Sequence, residues 1–155
     1  MARHRFIAAA FGALLLACTG LPAQSNDALF TASKQQLAVV KVVLAQQNEW
    51  NAGDLDSYLA HFKEAPDTEI MLGAPVRGMS NIRAAFRTLY PNRESMGQLE
   101  NSEVEVRELG ENFALATGNY RLERSHKGGG ELRGTFSELF EKTPKGWQVI
   151  FAESI

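Results

Sequence analysis

Leu55, Tyr58, Leu59 and Phe62 recur at i, i+3, i+4 and i+7, and polar residues fill the gaps. This is the clearest amphipathic helix in the chain. A longer helical stripe precedes it: Leu37, Val40, Val43, Leu44 and Trp50 share helical spacing. Lys34, Gln35, Lys41 and Gln46 lie mostly off that stripe. Asn26 or Asp27 can cap this first helix, Gly53 stops it, and Asp54 caps the second. A third helix is predicted from Ser80, with Ile82, Phe86, Leu89 and Tyr90 on one side and Pro91 as its stop.

Between the second and third helices, "TEIMLG" reads as a short strand and "APVRG" as a turn or second short strand. After Pro91 the period changes to two. Val104 and Val106 alternate with Glu103, Glu105 and Arg107 in a strand from Gln98 to Leu109. Strands over 113–124, 133–141 and 146–154 follow, separated by Gly110-Glu111-Asn112, a glycine-rich tip over 125–130 and a Thr143-Pro144-Lys145-Gly146 turn. Helices first and long antiparallel strands after predict an α+β fold, with three helices on one face of the sheet.

The first residues read differently. Arg3, His4 and Arg5 precede an apolar run from Phe6 to Ala17, too short to span a bilayer and suited to a signal peptide. Two processing readings stay open. Cys18 follows Leu15-Leu16-Ala17 as in a bacterial lipobox, which would make it a lipidation site. Ala23-Gln24-Ser25 after Pro22 suits ordinary signal peptidase. Both expect export to the periplasm or beyond, with residues 1–25 as the signal and 26–155 as one domain large enough for a real core. Removing residues 1–25 takes away Arg3 and Arg5 and no acidic residue, so the formal charge moves from −2 to −4. A mildly acidic domain is a poor fit to nucleic acid. Cys18 is the sole cysteine, so the domain is expected to have no disulfide, thiol nucleophile or cysteine-bound metal. His61 and His126 share no ligand spacing, and neither metal nor cofactor is expected.

Three stretches carry a family resemblance: "EWNAGDLDSYLAHF", "GAPVRGMSNIRAAFRTLYP" and "GNYRLERSHKGGGELRGTFSELFEKTPKGWQVIFAES". Over residues 35–154 the chain resembles the nuclear transport factor 2-like superfamily, and more closely its SnoaL-like branch of domains of unknown function. The resemblance implies a cone: a strongly curved antiparallel sheet wrapped on helices, with a pocket at the open end and often a dimer. It does not choose among isomerases, dehydratases and binding modules. Where many relatives carry an aspartate–histidine pair before the final serine or threonine, this chain has Ala152 and Glu153. Glu138 stands at a position that is usually apolar. The ketosteroid-isomerase branch keeps a carboxylate base on the strand after the second helix, which points to Glu69, with Met71 as the alternative inward residue.

The candidate chemistry centres on the last hairpin. If the turn is Thr143–Gly146, residue 138 pairs near 151 and 136 near 153, and alternation places Glu138 and Glu153 on one face beside Phe136 and Phe151. Two close carboxylates in an aromatic setting would raise a pKa and suit acid/base work. The alternative is solvent exposure or pairing with Arg121 or Arg124. Trp50, Tyr58 and Tyr120 are expected to line the pocket with polar tips, or else to pack in the core. Arg77 precedes Gly78 near a helix start, where anions bind; a surface role is the alternative.

The expected binding face joins Tyr58, Met71, Phe86, Tyr120, Glu138, Phe151 and Glu153 around a small, largely apolar molecule. A cofactor-free isomerase or dehydratase using Glu138, Glu153 or Glu69 is a second expectation. A dimerisation or interaction module is a third. Leu139, Ile150 and Ala152 are expected on the opposite sheet face, where they would support a homodimer.

Overall fold

The computed structural model describes residues 31–155, so the expected signal peptide and Cys18 lie outside the described residues. Helix α1 (Lys34–Ala52) begins after a capping box in which Ser33 and Gln36 satisfy each other's backbone N–H groups. The cap is thus Ser33, later than Asn26 or Asp27. Gly53, in the left-handed region at φ 79°, ends α1 as expected. Asp54 caps α2 (Leu55–Ala60) through the backbone N–H of Ser57. Strands β1 (Glu69–Met71) and β2 (Pro75–Arg77) form a short hairpin before α3 (Met79–Leu89). The N-cap of α3 is Gly78, and no side chain caps it, where Ser80 had been expected. A one-turn helix, α4 (Arg93–Met96), adds to the three expected helices. Asn92 and Ser95 close its capping box.

Four long strands follow: β3 (Gln98–Glu108), β4 (Phe113–Glu123), β5 (Leu132–Thr143) and β6 (Gly146–Ser154). The sheet order is β2-β1-β6-β5-β4-β3. All neighbours are antiparallel except β1 and β6, which run parallel. The architecture is the expected α+β fold: a curled, unclosed sheet with the helices on its inner face. The connectivity permits the parallel pair, because α3, α4 and four strands intervene between β1 and β6.

Curvature has local causes. A bulge between Ser102 and Glu105 bends β3, with Glu103 at φ 52°. Gly118 and Gly134 let neighbouring groups approach where a side chain would collide. A Cβ at Gly118 would sit 2.8 Å from the Phe136 ring, and one at Gly134 would sit 1.8 Å from the Ile155 carbonyl oxygen. Phe136 and Tyr120 therefore fold over glycines rather than stand beside side chains.

The core lies between α1, α2, α3 and the inner face of the sheet. Val39, Val43, Leu59, Phe62, Ile82, Phe86, Phe140 and Val149 form its centre. The buried stripe of α1 is Val39, Val43, Gln46 and Trp50, whereas Leu37 and Leu44 are exposed. The apolar positions of α1 thus serve two faces, and the inner one includes a glutamine.

Candidate functional site

Register determines which side chains meet. Phe140 pairs with Val149 as expected, but a bulge follows on β6 at Ile150. Beyond it Leu139 pairs with Phe151, Glu138 with Ala152, Ser137 with Glu153 and Phe136 with Ser154. One extra residue flips every later side chain to the other face. Glu138 therefore points inward between Ala152 and Ala116, its partner on β4. Glu153 and Phe151 share the outer parity with Ser137 and Leu139. The expected pair of carboxylates on one face is not formed. Ala152, expected outside, is buried on the inner face.

The inner face opens into a cavity of about 260 Å³. Trp50, Tyr58, Phe86, Tyr90, Tyr120 and Phe136 line it, with Val43, Gln46, Ile70, Met71, Leu72 and Leu122 among the other neighbours. Glu138 is part of this wall, and Glu153 touches the cavity from the end of β6. Trp50 is central to the aromatic group. Its ring meets Tyr58 at 5.1 Å and Tyr90 at 4.8 Å between centroids, both edge-on. Its Nε1–H is already committed to the carbonyl of Met96 at 2.9 Å. Trp50 thus supplies apolar surface to the cavity and no free donor.

Glu138 is the electrostatic centre. Its Oε1 accepts a hydrogen bond from Gln46 Nε2 at 3.2 Å, and its Oε2 is buried without a partner. Burial pushes the carboxyl up to about 7, and the Gln46 bond only partly opposes this. Desolvation is the cause, not repulsion from a second carboxylate. Neither arginine considered as a partner reaches Glu138. Arg121 pairs with Glu131 at 2.7 Å, and Arg124 donates to the carbonyls of Gly129 and Gly130. The Tyr58 phenol is also buried. Its pKa is raised first by that burial and next by the charge of Glu138, so the hydroxyl is neutral beside the carboxyl. Burial likewise raises Tyr90.

The remaining expected site residues lie elsewhere. Glu69 is ion-paired with Arg77 across the β1–β2 hairpin, and neither lines the cavity. The Arg77 side chain is 73% exposed, so it forms a surface ion pair and not an anion site. Ile70 is the inward residue of β1, paired with Ala152, while Met71 borders the cavity at the strand end. Phe151 is an outer-face residue. His61 pairs with Glu49 at 2.8 Å. The residue that sequence reasoning missed is Gln46. Its signal was present: positions 39, 43, 46 and 50 form one continuous helical stripe. A polar residue within such a stripe points to a buried partner.

No family model matches the chain, and no curated protein matches it. Solved structures do. A nuclear transport factor 2-like protein of unknown function from Shewanella oneidensis MR-1 is 27% identical, with a TM-score of 0.69 over 76% of this chain and 95% of that one. A candidate aromatic ring hydroxylase from Novosphingobium aromaticivorans is 18% identical, with a TM-score of 0.66 over 80% and 90%. A nuclear transport factor 2-like superfamily protein from Salmonella enterica serovar Typhimurium LT2 is 18% identical, with a TM-score of 0.62 over 77% and 88%.

Proposed function

This chain has the nuclear transport factor 2-like fold, and within that frame we propose that it binds a small, largely apolar molecule in the cavity over Glu138. One observation carries the reading: a buried carboxylate oxygen without a partner stands in an aromatic-lined cavity. A buried polar atom left unpaired costs roughly 1–3 kcal/mol, and a ligand that hydrogen-bonds to it recovers part of that cost. At about 260 Å³ the space suits a one- or two-ring compound. It lies near the lower end of ordinary ligand pockets, roughly 300–1,000 Å³. A neighbour of this fold is named as a candidate aromatic ring hydroxylase. An aromatic molecule is also what Trp50, Tyr58 and Phe86 would accommodate.

The test is a thermal-shift panel of one- and two-ring aromatics carrying a hydroxyl, an amino group or no polar group, followed by NMR of the methyl groups. Binders should raise the melting temperature by about 2 °C or more. They should also move the methyl signals of Ile70 and Leu122. If no compound binds, or if the shifts map outside the cavity, the reading fails and an interaction module becomes the better account.

A second reading is favoured by one observation, the carboxyl of Glu138 poised at about 7 beside the neutral Tyr58 phenol. A group so poised can exchange a proton with a bound molecule at neutral pH, as a cofactor-free isomerase or dehydratase requires. In that reading Glu138 is the acid/base, since Glu69 is ion-paired with Arg77 outside the cavity and Glu153 meets the cavity only from the end of β6. We further propose that the protein acts after export, as the apolar run from Phe6 to Ala17 suggests. Self-association through the outer sheet face completes the proposal. There Leu115, Leu139 and Phe151 align across β4, β5 and β6 as an apolar row.

A further inference from the structure

Resting on the ligand-binding reading above, we propose that the molecule selected by this cavity carries a protonated amine, seated on the free oxygen of Glu138. No lysine, arginine or histidine is among the described residues lining the cavity, whereas Glu138 and Glu153 both belong to it. An anionic ligand would meet carboxylates and no counter-charge. A neutral alcohol can satisfy the acceptor Oε2 but leaves the charge uncompensated. An ammonium group does both, through a charge-assisted hydrogen bond. Aromatic walls also attract organic cations and repel anions.

The groups facing Glu138 leave that role open. From α1, Gln46 is neutral and already donates to Oε1. From α2, Tyr58 is held neutral by its raised pKa. On the adjoining strands the paired residues are Ala116 and Ala152. Tyr90, whose pKa burial raises, and Tyr120 line the same cavity. Among the described residues no lysine, arginine or histidine pairs with the carboxylate. Because burial favours the protonated carboxyl, an ammonium that binds the ionised form must displace a proton. Amine affinity should therefore strengthen as pH rises through the Glu138 pKa, until the amine itself loses its proton.

Three probes with one ring system separate the possibilities: 1-naphthylmethylamine, 1-naphthalenemethanol and 1-naphthoic acid. Each is titrated calorimetrically into the full chain at neutral pH. The amine should bind at least about tenfold more tightly than the alcohol, with the acid weakest. In buffers of different ionisation enthalpy near pH 6, amine binding should release a fraction of a proton per site. Glu138→Gln should abolish that release and most of the amine preference over the alcohol. An alcohol equal to or tighter than the amine overturns the proposal and leaves the binding reading intact. So does an acid that binds as well as the amine, or a Glu138→Gln protein that keeps the amine preference. If none of the three binds, both readings fall. The comparison on the unmodified protein holds even if the variant does not fold.

Discussion

Gln46 reaches from α1 to Glu138 on β5 and bonds one carboxylate oxygen at 3.2 Å, leaving the other buried and unpaired. The two residues form a polar pair inside the aromatic-lined interior, and both are less than a tenth exposed. Ala116 and Ala152 flank Glu138 on the neighbouring strands. Their small side chains leave room for the glutamine to reach the carboxyl.

Stability should therefore depend on pH through Glu138. The folded state raises this carboxyl to about 7, so it prefers the protonated form. Its contribution is fully present below the unfolded glutamate value, near 4.3, and is lost as pH rises through about 7. The loss should be on the order of 3 kcal/mol between those limits, at 1.36 kcal/mol per unit. Urea unfolding of wild type and Glu138→Gln across this range should show the slope in the first and its absence in the second. The variant should equal or exceed wild type in stability at about pH 8. A wild-type stability that rises through this window would contradict the assignment.

Gln46→Leu should act in the opposite sense. It removes the one hydrogen bond that favours the ionised carboxyl, so the pKa of Glu138 should climb further. At neutral pH the variant should lose roughly 1–3 kcal/mol, because both carboxylate oxygens are then unpaired. Acidification should recover part of that loss. Urea midpoints at about pH 5 and 8 separate this from simple loss of packing, which would not respond to pH.

Leu139 lies between Leu115 and Phe151 in the outer apolar row. Sedimentation at micromolar concentration should show a dimer, and Leu139→Asp should convert it to monomer without lowering the melting temperature of the fold by much. A wild type that sediments as monomer would remove the outer-face dimer and leave the cavity unaffected.

The amino terminus makes a separate prediction. Intact mass of membrane and soluble fractions should find a chain that begins at a lipid-bearing Cys18 or near Asn26. A cytoplasmic protein that keeps Met1 would exclude both forms of processing.

The elements were legible because their periods are local. The 55–58–59–62 stripe, the Gly53–Asp54 junction and the Thr143–Gly146 turn each predict what the structure contains. The site was legible only in part. Glu138, Trp50, Tyr58, Met71, Phe86 and Tyr120 do line the cavity, and Glu153 borders it from the end of β6. Strict alternation failed for Phe151 and Glu153, because it assumes an unbroken ladder and the bulge at Ile150 breaks it. Gln46 was hidden because a polar side chain is normally assigned to the wet side of a helix. Its burial depends on a partner 92 residues away. Glu69 looked catalytic by position, but its side chain turns to Arg77 on the adjoining strand.

A carbon-13 titration of the Glu138 side-chain carboxyl, from about pH 4 to pH 9, decides whether this group anchors a ligand. It should be run on the free protein and again with 1-naphthalenemethanol present. The free carboxyl should titrate with a midpoint about 7, and the bound alcohol should displace that midpoint by about half a unit or more. A midpoint in the ordinary glutamate range, near 4.3, that the alcohol leaves unmoved would contradict both the buried, unpaired carboxyl and the ligand it is proposed to hold.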